Sequence, residues 1–235
     1  MTTDPLQKLV MVSVPDSAIA ENFRSLRTNV ARHLNNGVRK LLVGSSWAGE
    51  GKTLVVANLA VALAQIQKQV IIIDADLRRP KMTTLFGLVD QPGLCNSLAD
   101  SSPAAPHIQR TGVASLRILP AGNLPDPNPT DLMSGLGMKH ILAELEPMAD
   151  VVLVDSSPLA IFSESSIIAT MVDAVMLVIN TRRWRGEEEV QVKRQLETLG
   201  ANVIGMVLNE LDQNERGPDE YKYRYRYQKN KAKAR

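Results

Sequence analysis

The stretch Arg39–Thr53, RKLLVGSSWAGEGKT, followed directly by LVVANLAVALAQI, decides how the rest of the chain is read. A short apolar strand runs into a glycine-rich turn that ends Gly51-Lys52-Thr53, and a helix begins there. That order suits a loop that closes on phosphate. Glycines let backbone N–H groups converge on an anion, the helix N-terminus adds the positive end of its dipole, and a lysine supplies a mobile charge. Thr53 is placed to offer a hydroxyl to a magnesium ion on the phosphates. The strict pattern asks for glycine five residues before Gly51, and Ser46 stands there instead. A bland glycine-rich strand–helix turn is the alternative, but it leaves Lys52 and Thr53 without a role.

Working outward, other strands end in acids. Val70–Ile73 runs into Asp74-Ala75-Asp76-Leu77-Arg78, and Val151–Val154 runs into Asp155-Ser156-Ser157-Pro158. Continuous aliphatic runs indicate strands buried on both faces, as in a parallel sheet, and open α/β sheets bind ligands at the carboxyl ends of their strands. Taken singly, a strand-end Asp is also a plain helix cap. Three converging on one phosphate loop argue for more than capping. Two further apolar strands are predicted at Ala174–Ile179 and Val203–Leu208, flanking a charged helix from about Arg185 to Leu199. The alternation predicts an α/β fold, a three-layer αβα sandwich around a mostly parallel sheet.

Elsewhere the signals are weaker. Residues 1–15 read as a flexible lead-in punctuated by Pro5 and Pro15. Asp16 or Ser17 can cap a helix to about Leu34 whose apolar stripe is Ile19, Phe23, Leu26, Val30 and Leu34. Residues 87–130 are rich in Gly, Pro and Ser, with one strand predicted at Leu116–Leu119 and a helix from Thr130 to Glu146 afterwards. The pattern stops near Asp212, so the chain divides into a lead-in (1–15), a nucleotide-binding domain (16–212) and a tail (213–235).

Composition narrows the function classes. The chain has 235 residues, ordinary globular hydrophobicity and no run long enough to span a bilayer, and its start lacks the basic region of a secretory signal. Cys95 is the single cysteine, which excludes an internal disulfide framework or a cysteine-rich metal site. His33, His107 and His140 lie in no motif. A cytoplasmic protein is expected. The net charge of +2 is unevenly spread: residues 221–235 hold seven of the 27 Lys and Arg and no acid, so they carry +7 and the remainder −5. All four tyrosines, Tyr221, Tyr223, Tyr225 and Tyr227, lie in this tail between Lys222, Arg224 and Arg226. An aromatic and basic tail that binds nucleic acid or a membrane surface is one reading of this segment.

Taken together, these motifs resemble the bacterial tyrosine kinases of capsule and exopolysaccharide systems. That family's Walker A block is similar to Gly49–Thr53, its Asp-x-Asp-x-Arg motif to Ile71–Arg78, and its Walker B to Val152–Asp155. Its Glu-x-x-Arg-x-x-Arg helix is similar to Glu21, Arg24 and Arg27, and its Asn-Pro-x-Glu-Leu segment to Asn128–Leu132. The chain departs from the pattern where Ala48 replaces a frequent proline, where Ser157 interrupts the commoner Asp-x-Pro-Pro, and where Glu164 replaces an Asp.

The resemblance implies a MinD/ParA-like P-loop fold and an ATP-dependent protein-tyrosine autokinase acting in trans on the tail tyrosines. It implies ATP held by Ala48, Gly49, Glu50, Gly51, Lys52, Thr53 and Leu54, and Mg²⁺ held by Thr53, Asp76 and Asp155. Lys52, Asp74, Asp76 and Asp155 would be catalytic, with Asp74 the base. Asn209 follows the last strand, where such folds often read the nucleotide base, and Asn209-Glu210-Leu211-Asp212 lacks the lysine of the guanine-reading motif, favouring ATP. The family further implies a ring-shaped homo-oligomer joined through Glu21, Arg24 and Arg27. A membrane-embedded Wzz-like chain-length regulator as activator, a cognate tyrosine phosphatase, a peripheral place at the inner membrane face and no nucleic acid complete the expectation. A MinD-type switch ATPase is a rival; such proteins carry a second lysine early in the loop, where this chain has Trp47. An idle ATP-binding scaffold of the export machinery is another.

Overall fold

The computed structural model describes residues 4–89, 92–123, 128–184 and 186–210. Seven strands form one sheet: β1 (Lys40–Ser45), β2 (Val70–Ala75), β3 (Gln109–Arg110), β4 (Leu116–Leu119), β5 (Val151–Ser156), β6 (Ala174–Asn180) and β7 (Val203–Asn209). Their order is β3-β4-β2-β5-β1-β6-β7, and only the β3–β4 pairing is antiparallel. Helices α1 (Val10–Ser13), α2 (Ala18–Asn35), α3 (Lys52–Ala64), α4 (Met82–Phe86), α5 (Leu94–Asp100), α6 (Pro129–Ser134), α7 (Gly137–Leu145), α8 (Ser163–Ala169) and α9 (Glu187–Thr198) complete the described elements with short 3₁₀ turns.

The strand pleat divides the aliphatic runs between two cores. Leu41, Val43, Val70, Ile72 and Leu153 face α2, α3 and α4, whereas Leu42, Ile71, Ile73, Val152 and Val154 face α5, α7, α8 and α9. Every residue of β2, β5 and β6 is buried. This is the predicted three-layer α/β sandwich. After β1 the chain steps to β2, leaving a place that β5 fills, and then crosses to β6 on the other side of β1. The carboxyl ends of β1, β2 and β5 therefore border one crevice, the reversal point where such sheets hold ligands.

Several expectations need correction. Residues 5–13 are not a loose lead-in: Leu9 and Met11 are 0% and 1% exposed. Helix α3 is apolar nearly all round, so its outer side needs a cover, and this segment supplies it. The Met11 N–H donates to Asn58 Oδ1 (3.0 Å) and Gln65 Nε2 donates to the Met11 carbonyl (3.2 Å). In α2, Ser17 caps the helix through the Ala20 N–H as expected, but Ile19 is exposed and Ala20 takes its place in the core. The predicted Thr130–Glu146 helix is two helices, α6 and α7, because Gly135 adopts an extended conformation between them. The 87–130 segment contains α5, which starts where the Gly93 N–H donates to Asn96 Oδ1. Strand β7 lies at the sheet edge, and Met206 and Leu208 are exposed among the described residues. The tail after Glu210, with Asp212 and the tyrosine cluster, lies outside the described residues.

Candidate active site

The loop between β1 and α3 is built from its backbone. Gly49 (φ +83°) and Gly51 (φ +88°) occupy the left-handed region that glycine enters without steric cost. Glu50, expected to face ATP, has its side chain folded under the loop at 1% exposure. There Glu50 Oε2 accepts from the Trp47 N–H (2.7 Å) and Oε1 accepts from the Asn180 N–H at the end of β6 (3.3 Å). Burial raises the Glu50 pKa, with these backbone donors acting the other way. Asn209 also serves the loop: its amide Nδ2 donates to the Glu50 carbonyl (2.9 Å). Arg183, in the turn after β6, donates to the Ala48 carbonyl (3.5 Å). Leu54 stands 45% exposed at the start of α3. Ser46, in the place of the pattern's glycine, is buried and its carbonyl accepts from the Ala160 N–H, tying the loop to the chain after β5.

Lys52 is where the loop meets the strand-end acids. Its ammonium donates to Asp76 Oδ2 (2.8 Å) and lies 3.7 Å from Asp155 Oδ1. Burial works to lower the Lys52 pKa, but the charges of Asp155 and Asp76 outweigh it and the net direction is upward. Asp76 accepts two further bonds on Oδ1, from Ser157 Oγ (3.0 Å) and the Arg79 N–H (3.2 Å). Asp155 is 1% exposed, and neither of its oxygens has a hydrogen-bond partner. Burial pushes its carboxyl up from the ordinary range, offset in part by Lys52 and the Thr53 hydroxyl.

Asp74 is brought beside this group but is differently engaged. It is the register partner of Asp155 on the adjacent strand, so the two backbones lie about one strand spacing (~4.8 Å) apart. Its Oδ2 accepts from the backbone N–H groups of Lys81 (3.1 Å) and Met82 (3.0 Å), so it caps α4, while Oδ1 is buried without a partner. The capping alternative therefore applies to this one of the three acids. Burial first, then the Asp155 charge, raises its pKa. At 0% exposure it lies beneath the Leu77–Met82 turn.

Arg78 joins elements that the sequence left separate. Its Nε donates to Glu164 Oε1 (2.7 Å), Thr130 Oγ1 donates to Glu164 Oε2 (2.8 Å), and the guanidinium lies 4.1 Å from the Phe162 ring centre. Burial would raise the Glu164 pKa, but the Arg78 and Thr130 contacts leave it lowered. The one sequence sign of this link was an acid placed soon after the Asp155 strand. On α2, Arg24 pairs with Glu21 (3.1 Å) and Arg27 donates to the Ala62 carbonyl (3.3 Å), both within the chain.

This donor set fits a polyphosphate with a divalent cation. Asp76 and Asp155 face one lysine with Asp74 beside them, and three buried oxygens of Asp74 and Asp155 lack partners, an arrangement that a cation would satisfy. Among the described residues no three acids, His or Cys form a complete metal cage. Mg²⁺ binds through one or two carboxylates together with water and phosphates, and Asp76 and Asp155 would be the acids to supply them. A depression of about 420 Å³ lined by Arg39, Ala143, Glu146, Pro147 and Ala149 opens at the other end of the sheet, away from these groups.

Residues 41–233 match the family described as the CobQ/CobB/MinD/ParA nucleotide binding domain. Over 204 residues the chain is 31% identical to tyrosine-protein kinase YwqD of Bacillus subtilis (strain 168), covering 86% of each. It is 32% identical to putative tyrosine-protein kinase CapB of Staphylococcus aureus, covering 84% of this chain and 86% of that one. Among solved structures, the kinase domain of Escherichia coli tyrosine kinase ETK superposes with a TM-score of 0.83 at 28% identity, over 89% of this chain and 82% of that one.

Proposed function

The chain belongs to the bacterial tyrosine kinases, within the CobQ/CobB/MinD/ParA nucleotide-binding family, and from that premise we propose that it is an ATP-dependent protein-tyrosine autokinase. Its substrates are the tail tyrosines Tyr221, Tyr223, Tyr225 and Tyr227 of a neighbouring copy, and its role is to regulate capsule or exopolysaccharide assembly. The observation that carries the reading is Lys52 set between Asp76 and Asp155 at the start of α3, with the Asp155 oxygens unpartnered.

In this reading the loop N–H groups and the α3 N-terminus bind the phosphates, and Lys52 turns from Asp76 to the β/γ-phosphates. Thr53, Asp76 and Asp155 would hold Mg²⁺, which when bound neutralises charge on the transferring group. The tyrosine oxygen attacks the γ-phosphorus, the bond to the β-phosphate oxygen breaks, ADP leaves, and the phenol proton passes to Asp74. A phenol with a pKa near ~10 is a weak nucleophile at neutral pH, so a base with a raised pKa suits the step. Because Asp74 lies under the Leu77–Met82 turn, that turn must withdraw before the phenol arrives.

Glu21, Arg24 and Arg27 are proposed to join copies into a ring that delivers each tail to its neighbour. No described helix is long and apolar enough to cross a membrane. A separate membrane-embedded chain-length regulator is proposed to recruit the kinase to the inner face, and a cognate phosphatase to reset it. Each added phosphate brings roughly −1.5 to −2 charges, enough in sum to cancel the +7 tail.

Purified full-length protein incubated with ATP and Mg²⁺ should acquire phosphotyrosine in the tail, and Lys52→Met should abolish it. Label of equal intensity in the purified, folded mutant refutes the assignment.

A further inference from the structure

The three acids of the site are held in different ways. Asp155 is buried without hydrogen bonds, and Asp74 is engaged by the backbone of α4. Asp76 is held by a serine hydroxyl at hydrogen-bond distance. Ser157 Oγ donates to Asp76 Oδ1 at 3.0 Å, and the Arg79 N–H joins it on the same oxygen. Asp76 Oδ2 is bonded to the Lys52 ammonium. When Lys52 moves to bound phosphate, Oδ2 is released for a cation, while Oδ1 keeps its two donors.

Ser157 is well placed to serve as that fixed point. It is 1% exposed, it directly follows β5, and its own carbonyl accepts from Ser165 Oγ on α8 (2.7 Å). The hydroxyl is thus anchored from the α8 side and directed at a carboxylate just past the end of the neighbouring strand β2. A proline at 157, as the commoner motif has it, offers no hydroxyl, and Asp76 would then keep only the Arg79 N–H on a turn. Hydrogen bonds to a ligating carboxylate fix its orientation, and their loss costs about 10- to 100-fold in metal affinity.

We propose that Ser157 is a positioning residue that holds Asp76 in the orientation needed to take the nucleotide-bound metal ion. This rests on Asp76 holding Mg²⁺, as set out above, and does not depend on the acceptor being tyrosine.

The test is calorimetric binding of ADP to the full chain across a Mg²⁺ titration, in wild type, Ser157→Ala and Ser157→Thr. Wild type should bind ADP more tightly as Mg²⁺ is added. S157A should need about tenfold more Mg²⁺ for half the effect, should bind ADP without Mg²⁺ as wild type does, and should show the same shift in the Mg²⁺ dependence of phosphorylation. S157T, which retains the hydroxyl, should return towards wild type. An unchanged Mg²⁺ requirement in S157A overturns the proposal, as does an equal loss of ADP affinity with and without Mg²⁺, which would mark a merely structural role. If S157A does not fold, Ser157→Cys, of similar size with a weaker donor, decides between the same outcomes. Wild type that binds Mg²⁺ and ADP but forms no phosphotyrosine sinks the kinase reading and leaves this one standing.

Discussion

Replacing Gly51 by alanine tests how the phosphate loop is held. Gly51 sits at φ +88° and ψ 12°, and an alanine in the left-handed region costs about 1 kcal/mol. The new Cβ would stand 2.2 Å from Asn209 Nδ2, a distance no real contact tolerates, so the amide must move. That amide donates to the Glu50 carbonyl at 2.9 Å, and losing the bond costs about 1 kcal/mol. The sum is about 2 kcal/mol, or a fall in Tm of about 4–8 °C for a chain of this size. Denaturant and thermal unfolding of G51A, N209A and the double variant provide the assay. Asn209→Ala alone should cost about 1 kcal/mol, and the double variant about 2, because the added methyl group then has no amide to meet. The two changes should therefore fall short of additivity by about 1 kcal/mol. Costs that add within about 0.5 kcal/mol would falsify the steric reasoning.

Other expectations follow from burial. Asp74 and Asp155 have pKa values pushed up to about 7 and about 6, chiefly by burial, from an ordinary 3.8. The nucleotide-free folded state then keeps protons that the unfolded chain has lost, so stability falls as pH rises from about 4 to about 7. Melting curves at about pH 5 and about pH 8 should show the lower Tm at the higher pH, and replacing both residues by asparagine should flatten the slope; a wild-type profile already flat in that window rules the argument out. Leu9→Ala should cost about 2–5 kcal/mol in unfolding experiments, as for any wholly buried leucine; a change near zero would restore the lead-in as a loose segment. Glu164→Ala should free Arg78 and Thr130 and speed amide exchange across α6, with a stability cost of only about 1–2 kcal/mol because Arg78 remains partly exposed. Asp74→Asn should lower kcat for tail phosphorylation by about 10²–10⁴-fold with little change in ATP affinity. If Asp76→Asn alone shows that signature, the base is Asp76.

Legibility in the sequence followed the length and periodicity of each element. The runs Val70–Ile73, Val151–Val154 and Ala174–Ile179 could only be interior strands, and the register that sets Asp74 beside Asp155 follows from their burial on both faces. The phosphate loop was legible because glycine, lysine and threonine have fixed chemical duties there. Long-range partners were not. Nothing in the local sequence states that Glu50 folds inward to Asn180 or that Asn209 braces the loop. Each depends on a contact between segments distant in the chain, which no periodicity encodes. Asn180, a polar residue closing a wholly apolar strand, was the one visible hint of the Glu50 contact. The burial of Leu9 was equally hidden, since it answers a need of α3 rather than any pattern of its own.

Helix α3 has the further property that twelve of its thirteen residues are enclosed by sheet, α2 and the Leu9–Ser13 cover. A rod gripped on every side cannot slide or tilt without opening the core, so the half of the crevice that receives the nucleotide acts as a fixed jaw. Whatever closes or opens during turnover must come from the facing jaw, where the short α4 and α6 are pinned by single carboxylates that a passing proton or cation can unfasten.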